Sequence, residues 1–426
     1  MPADHALPQA KAPPGGSNGA IASSRELFAS LAGLGPVRSL YIHVPFCFHK
    51  CHYCDFYSIV DTRDRQDAFV ERLSRELVAL APLAAGAPLR TIFVGGGTPS
   101  LLATHLWERL LETLHANFDL SAMRSQGPSD VGEFTVECNP ETVSSELMRV
   151  LRDGCVTRVS IGAQSFHAQH LQTLERWHDP ANVAKAVALA REAGIARQSL
   201  DLIYAIPGQT QDDLDRDLDA ALSLATEHLS CYALTYEPNT AMAVRMKRGE
   251  FRPADEDLEA SMFERVLDRL RAAGLDRYEV SNFATPGGEC RHNLAYWRQD
   301  DWLAAGPSAS GHVRGWRWKN TTRLDDYLSH EDGGFARVQD VESPDPRRNL
   351  AEALWTGLRT REGVDARAML ARAHAIDPAM PSRLERVAQR QVSLGAFSDQ
   401  SGRWTLTDPG MLVADSIAVE FMRAVD

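Results

Sequence analysis

Cys47, Cys51 and Cys54 lie in one short run, Phe46-Cys-Phe-His-Lys-Cys-His-Tyr-Cys-Asp55. Three thiols at C-x3-C-x2-C spacing make one compact soft-ligand patch, and soft thiolates select iron–sulfur clusters, zinc or copper(I). A four-iron cluster normally takes four cysteines. Three leave one iron open, and an open iron can bind and activate a small molecule. His43, His49 and His52 stand beside the thiols, so zinc is the alternative that residue types leave open.

Five further groups could do chemistry. The run Gly95-Gly-Gly-Thr-Pro99 follows the apolar segment Thr91–Val94, and glycines let a backbone turn tightly and approach a ligand closely. Glu137-Cys-Asn-Pro140, Gly162-Ala-Gln-Ser165 and Asp201 with Pro207-Gly208 place polar groups next to turns. His292-Asn-Leu-Ala-Tyr-Trp297 joins an imidazole, a common axial ligand to heme iron, to two large flat rings with polar handles. Each has an ordinary reading as well. Asp201 could cap a helix, Arg176 could be a solvated charge, and His292 could be a satisfied core histidine. Trp316-Arg-Trp318 reads as packing.

The elements that position these groups follow from periodicity. Strands are expected at Ser39–Val44, Thr91–Gly95, Glu133–Glu137, Arg158–Gly162, Ser199–Ile203 and Leu229–Leu234. Amphipathic helices are expected at Ala68–Leu80, Leu106–Phe118, Ser144–Leu151, Ala181–Ala193 and Gln211–Ala225, where apolar residues recur at three- and four-residue spacing. Such alternation predicts a parallel sheet with crossover helices. The fold class is α/β, a partial (β/α)6 barrel, and in barrels the site lies at the C-terminal strand ends. The first five strands each end in one of the groups above, so all converge on one rim.

Further on, Glu259–Ala273 reads as a helix and Arg277–Phe283 as another strand. Glu342-Ser-Pro-Asp-Pro346 marks a boundary. Helices at Arg348–Leu358 and Ser382–Leu394 and a hairpin over Ala396–Thr407 predict a small, mainly helical, winged-helix-like C-terminal domain. The division is a disordered lead-in over 1–37, with room for a short helix near Ser24–Leu31; a core over 38–340 carrying the HNLAYW string; and a C-terminal domain over 341–426.

The 426 residues hold 45 basic and 57 acidic side chains, a net charge of −12. That balance argues against nucleic-acid partners, which call for a basic face. Seven cysteines in so long a chain do not make a disulfide scaffold. Cys138, Cys155, Cys231 and Cys290 read as small buried hydrophobes. The N-terminus lacks a signal-peptide pattern and no apolar run reaches membrane-spanning length. A reducing, cytoplasmic setting is expected.

The C-x3-C-x2-C run with Tyr53 before its third cysteine resembles the signature of the radical S-adenosylmethionine (SAM) family. The resemblance implies a 4Fe-4S cluster on Cys47, Cys51 and Cys54, with SAM on the open iron. It implies SAM contacts from Gly96, Gly97 and Thr98 of the glycine run, from Glu137, and from Tyr41 and Tyr53. Tyr41-Ile-His-Val-Pro-Phe-Cys, Gly95-Gly-Gly-Thr-Pro-Ser-Leu, Glu137-Cys-Asn-Pro and Asp201-Leu-Ile-Tyr-Ala-Ile-Pro-Gly-Gln-Thr resemble the subgroup related to oxygen-independent coproporphyrinogen III oxidase. In that branch, positions matching Gln164, Arg176 and Asp201 hold a second SAM. Two features depart from the decarboxylating oxidase. Phe56 stands where the oxidase has a further cysteine, and His292-Asn-Leu-Ala-Tyr-Trp297 is similar to a heme-binding string of the oxidase's heme-chaperone paralogues. The resemblance thus implies heme on His292, Asn293, Tyr296 and Trp297, a heme donor, and heme-accepting proteins as partners. It leaves room for SAM cleavage, for a homodimer and for peripheral membrane contact. Porphyrin oxidative decarboxylation is the alternative.

Overall fold

In the computed structural model, which describes residues 23–124, 131–330 and 332–426, six parallel strands stand side by side in chain order. They are β1 (Ser39–Val44), β2 (Thr91–Gly96), β3 (Glu133–Cys138), β4 (Arg158–Gln164), β5 (Arg197–Tyr204) and β6 (His228–Ala233). Alternate residues of a strand point to opposite faces, and the two faces differ. Leu40, Ile42, Ile92, Val94, Phe134, Val136, Ile161 and Leu200 face outward and are sealed beneath the helices. Tyr41, Phe93, Thr135, Glu137, Ser160, Asp201 and Ser230 face inward and line a cavity of about 1390 Å³. A closed eight-stranded barrel fills its interior with branched apolar side chains. Here polar inward residues keep the lumen open.

Helices Gln66–Leu80, Thr104–Asn117, Ser145–Asp153, Ala181–Glu192 and Gln211–Ser223 cover the outer face. Two begin where local chemistry caps them. Ser144 accepts from Leu147 N, and Thr210 forms a reciprocal capping box with Asp213.

The sheet grows at both edges. The single strand expected over Arg277–Phe283 is instead two short antiparallel strands, β7 (Asp276–Arg277) and β8 (Asn282–Ala284). A tight turn breaks it, closed by Tyr278 N donating to Asn282 O at 3.0 Å. β8 pairs antiparallel with β6. At the other edge β9 (Leu303–Ala305) lies parallel to β1. The nine strands run β7-β8-β6-β5-β4-β3-β2-β1-β9.

Three further strands, β10 (Ser310–Val313), β11 (Trp316–Asn320) and β12 (Val338–Glu342), form a separate antiparallel sheet. Trp318 of β11 is buried and meets Phe28 edge-on, with centroids 5.4 Å apart. Part of the expected disordered lead-in is therefore ordered. The helix Ser24–Leu31, capped by Ser23, buries Leu27, Phe28 and Leu31, because β11 offers Phe28 an aromatic seat. Residues 1–22 lie outside the described residues.

One buried carboxylate fastens this extension to the barrel. Glu76 accepts from Gly306 N (2.9 Å), Asn320 Nδ2 (2.7 Å) and Tyr327 Oη (2.6 Å). Beside it, Arg72 donates to the carbonyls of Tyr327, Gly334 and Phe335. Glu76→Ala leaves three buried donors without their acceptor, each worth about 1–3 kcal/mol when orphaned. A loss of roughly 3 kcal/mol or more is expected from urea unfolding; Glu76→Gln should lose less.

Residues beyond Glu342 build a second hydrophobic core. Helices Pro346–Gly357, Ala366–Ile376 and Met380–Ser393 pack with a sheet of β13 (Val364–Asp365), β14 (Phe397–Gln400) and β15 (Arg403–Leu406), ordered β13-β15-β14. This is a winged-helix arrangement. Helices Asp408–Leu412 and Ala414–Val425 complete it, and Phe397, Trp404 and Phe421 gather at its centre. Met411 to Ser416 reach back and line the lumen.

Candidate functional site

After β1 the chain turns across the rim as the cysteine loop, tied down at its base. Cys47 N donates to Ile59 O (2.9 Å) and Ile59 N to Pro45 O (2.8 Å). The glycine run of β2 lies against this base. Gly97 N donates to Val44 O at 2.8 Å and Thr98 N to Phe46 O at 2.7 Å. The contact explains the glycines. A Cβ on Gly97 would fall 2.7 Å from Phe46 O, and one on Gly95 would fall 2.8 Å from Glu137 Oε2. Gly96 has φ +110°, where a side chain is strained.

All three thiols are half-buried and line the cavity. Thr98 Oγ1 donates to Cys47 Sγ (3.5 Å), and Arg176 Nη1 reaches Cys51 Sγ at 3.8 Å. Burial pushes Cys54 up to about 11 and raises Cys47 as well. Thiols so placed are protonated at neutral pH and would ionise on meeting a metal, which takes thiolate.

The neighbouring histidines are otherwise engaged. His43 Nε2 donates to Tyr57 O (2.8 Å) and its Nδ1 accepts from Tyr41 Oη (3.0 Å). His49 stacks on Trp177, and His52 Nδ1 meets Arg245 at 3.2 Å. Among the described residues no three His, Cys, Asp or Glu side chains converge on a single-ion point. His49 lines the same cavity, but it does not converge with the thiols on a single-ion point, so three thiols alone suit a multi-iron cluster better than one zinc ion.

Below the cysteine loop, inward strand residues form the cavity walls. Tyr53, Gly96, Gly97, Thr98, Glu137, Gln164, Arg176 and Asp201 all line it, as does Tyr41. Glu137 Oε2 accepts from Gly96 N at 3.0 Å, which locks the glycine turn to β3. Burial pushes Glu137 up to about 7, and the nearby Asp201 adds to it. Burial likewise raises Asp201 to about 6, against hydrogen bonds from Ser230 and Ser160. Arg176 donates to Gly162 O at 3.1 Å, while its Nε is buried without a partner. Glu137 and Asp201 as acceptors, Arg176 as cation and a glycine cradle fit a ligand with hydroxyl, ammonium and carboxylate groups, the groups SAM carries.

The Asp201 shift has a consequence for stability. A raised pKa means that the folded chain holds the proton more tightly than the unfolded one. The neutral form's stabilisation is complete below the usual carboxylate range and is lost as pH rises through about 6. Asp201→Asn should therefore melt higher than the parent at pH 8 and equally at pH 4. Equal melting at both values would contradict the shift.

The HNLAYW string divides. It forms the helix Arg291–Trp297 at the N-terminal end of the strands, away from the cysteine rim. His292 is fully buried and does not line the cavity. Its Nδ1 pairs with Thr91 Oγ1 and its Nε2 with Tyr296 Oη, both at 2.8 Å, and Phe93 stacks on its ring. As folded, both nitrogens are engaged, so a direct iron contact from His292 would need one of these bonds to break. Burial holds it neutral, with a pKa down to about 4. Asn293 and Tyr296 face the lumen, while Trp297 lines a different cleft.

Sequence reasoning passed over Phe93, Ser160 and Ser230. Their signal was available: each sits at an inward position of an alternating strand. Of the scattered cysteines, Cys138, Cys231 and Cys290 are buried and Cys155 is half-buried.

Comparison with known proteins agrees with this geometry. The radical SAM superfamily model matches residues 41–221. The chain is similar to the heme chaperone HemW of Mycobacterium tuberculosis, at 36% identity over 92% of this chain and 98% of that protein. It is similar to HemW of Bacillus subtilis at 32% identity, over 91% of this chain and 99% of its relative. Among solved structures, coproporphyrinogen III oxidase (HemN) from Escherichia coli, described as a radical SAM enzyme, superposes with a TM-score of 0.78. That likeness covers 92% of each chain at 22% identity, a shared fold.

Proposed function

The chain belongs to the HemW family within the radical SAM superfamily, and on that footing we propose that it carries heme to acceptor hemoproteins. Superfamily membership implies a four-iron cluster and SAM. We assign the cluster to Cys47, Cys51 and Cys54. We assign SAM to the cradle of Tyr41, Tyr53, Gly96, Gly97, Thr98 and Glu137, with Gln164, Arg176 and Asp201 deeper in the lumen. When bound and reduced, such a cluster supplies an electron to SAM. The chain's own residues hold and orient. The glycine run keeps backbone close to the ligand, Glu137 and Asp201 accept hydrogen bonds, and Arg176 offers the thiolates a counter-charge.

The observation that carries the heme reading is the position of the Arg291–Trp297 helix. It presents Asn293 and Tyr296 to one cavity and Trp297 to a second. A heme donor, heme acceptors and self-association are the partners this reading calls for. No helix among the described residues is long and apolar enough to cross a membrane. The test mixes heme-loaded protein with an apo-hemoprotein under reducing conditions and follows the acceptor's Soret band. Failure of transfer would sink the proposal.

Porphyrin decarboxylation is disfavoured by Phe56. It lies at the cavity rim, 63% exposed, where the oxidase keeps a cysteine. Reconstituted protein supplied with coproporphyrinogen III, SAM and a reductant is expected to form no protoporphyrinogen.

A further inference from the structure

We infer that Ser58, together with Thr98, tunes the iron–sulfur cluster, each hydroxyl donating to the Cys47 sulfur and so making the cluster easier to reduce. The inference rests on the cluster assignment above and adds to it Ser58, a residue outside both the thiol set and the SAM cradle.

The three thiols differ in what surrounds them. Thr98 is buried, and its Oγ1 donates to Cys47 Sγ at 3.5 Å. Its backbone holds it there, since Thr98 N donates to Phe46 O at 2.7 Å. Ser58 comes to the same cysteine from the returning limb of the loop. The next residue, Ile59, donates to Pro45 O and accepts from Cys47 N, and Phe46 and Ile59 form a parallel bridge. Ser58 is 7% exposed and lines the cavity. Its hydroxyl is buried with no nitrogen or oxygen partner. A buried hydroxyl costs free energy unless it finds an acceptor, and the Cys47 sulfur is the acceptor at hand. Hydrogen bonds from Thr98 and Ser58 both favour the Cys47 thiolate. Cys51 and Cys54 are served otherwise. Arg176 Nη1 and the Tyr53 side chain reach Cys51, and the Phe56 backbone bonds to Cys54. Arg176 and Tyr53 are also assigned to SAM, so Ser58 is the side-chain donor that can be changed alone.

The direction of the effect follows from charge. Reduction adds one electron to the cluster, with no bond formed or broken, so the thiolate sulfurs become richer in negative charge. A hydrogen bond to a charged acceptor is stronger than one to a neutral acceptor. Donors to the sulfurs therefore favour the reduced form, and such bonds are one of the levers that set iron–sulfur potentials. Burial strengthens them further. The backbone bonds at Thr98 and Ile59 fix both hydroxyls in advance. The same two bonds trade ease of reduction against driving force towards SAM.

The test titrates anaerobically reconstituted full-length protein, without SAM, with dithionite at controlled potential. Visible absorption and the paramagnetic resonance of the reduced cluster give the midpoint. Iron and sulfide analysis and far-UV circular dichroism check cluster content and folding. Ser58→Ala should lower the midpoint until the oxidised-to-reduced ratio at the parent's midpoint rises at least about threefold, roughly 30 mV for a one-electron couple. Ser58→Thr keeps the hydroxyl and should stay near the parent. Thr98→Val should shift in the same direction as Ser58→Ala, Thr98→Ser should not, and the Ser58→Ala/Thr98→Val double variant should fall lowest. A parental midpoint in Ser58→Ala at full cluster content, or equal shifts whether or not the hydroxyl is kept, would overturn the tuning while leaving the cluster assignment intact. A parent protein that takes up no cluster would overturn both.

Discussion

Cys54→Ser protein, reconstituted anaerobically with iron and sulfide, should retain less than about a tenth of the parent's broad visible absorption, because a site already short of the usual fourth cysteine cannot lose another ligand. The geometry adds a reason. Cys54 lies on a loop whose base is pinned at Cys47 and Ile59, and that loop carries no further cysteine. The remaining cysteines, Cys138, Cys155, Cys231 and Cys290, lie on or beside barrel elements outside this loop. Iron and sulfide analysis reads the result directly. A colourless parent protein holding one zinc would refute the cluster itself, whatever the variant does.

Gly97→Ala should lower SAM affinity by about a hundredfold, roughly 3 kcal/mol, with less effect on cluster content. The added methyl has nowhere to go. Phe46 O, Pro45 C and Val44 O all lie within 2.9 Å of its position, and these are backbone atoms that cannot rotate aside. The glycine run must then part from the cysteine loop, which breaks the Gly97–Val44 and Thr98–Phe46 bonds and shifts the cradle from the open iron. Equilibrium dialysis with SAM on the cluster-loaded variant measures the effect. Retained affinity would mean that the run is only a turn.

Much of the barrel was readable in the chain. The six parallel strands alternate, with Leu40 and Ile42 outward against Tyr41 and His43, and Phe134 and Val136 outward against Thr135 and Glu137. Each ends near a glycine, proline or polar turn. The rim residues followed, because parallel strands put their ends together. What escaped had weak local signals. β9 has three residues and owes its place to β1, a contact that sequence spacing cannot announce. The helix Ala366–Ile376 is rich in alanine, which favours helix but marks no face, whereas Ala414–Val425 carries an apolar stripe at Ile417, Phe421 and Val425 that the sequence reading passed over. The HNLAYW string spreads over the core and two cavities for a different reason. Neighbours on a helix point about 100° apart, so a contiguous motif need not share one pocket. His292 turned into the core, and Trp297 turned to another cleft.

The two edges of the nine-stranded sheet do not pair with each other, and Met411 to Ser416 cover the lumen from a unit with its own core. On that side the lumen is closed by side chains of another unit and not by the sheet. The C-terminal unit meets the barrel through a backbone bridge, Glu279 with Thr360, with Arg361 N donating to Tyr278 O at 2.9 Å, and through ion pairs such as Arg271 and Arg277 with Asp408. Ion pairs at a surface weaken with salt. The charged part of the seam across the barrel's open side is therefore the part that ionic strength weakens, while the backbone bridge holds without it.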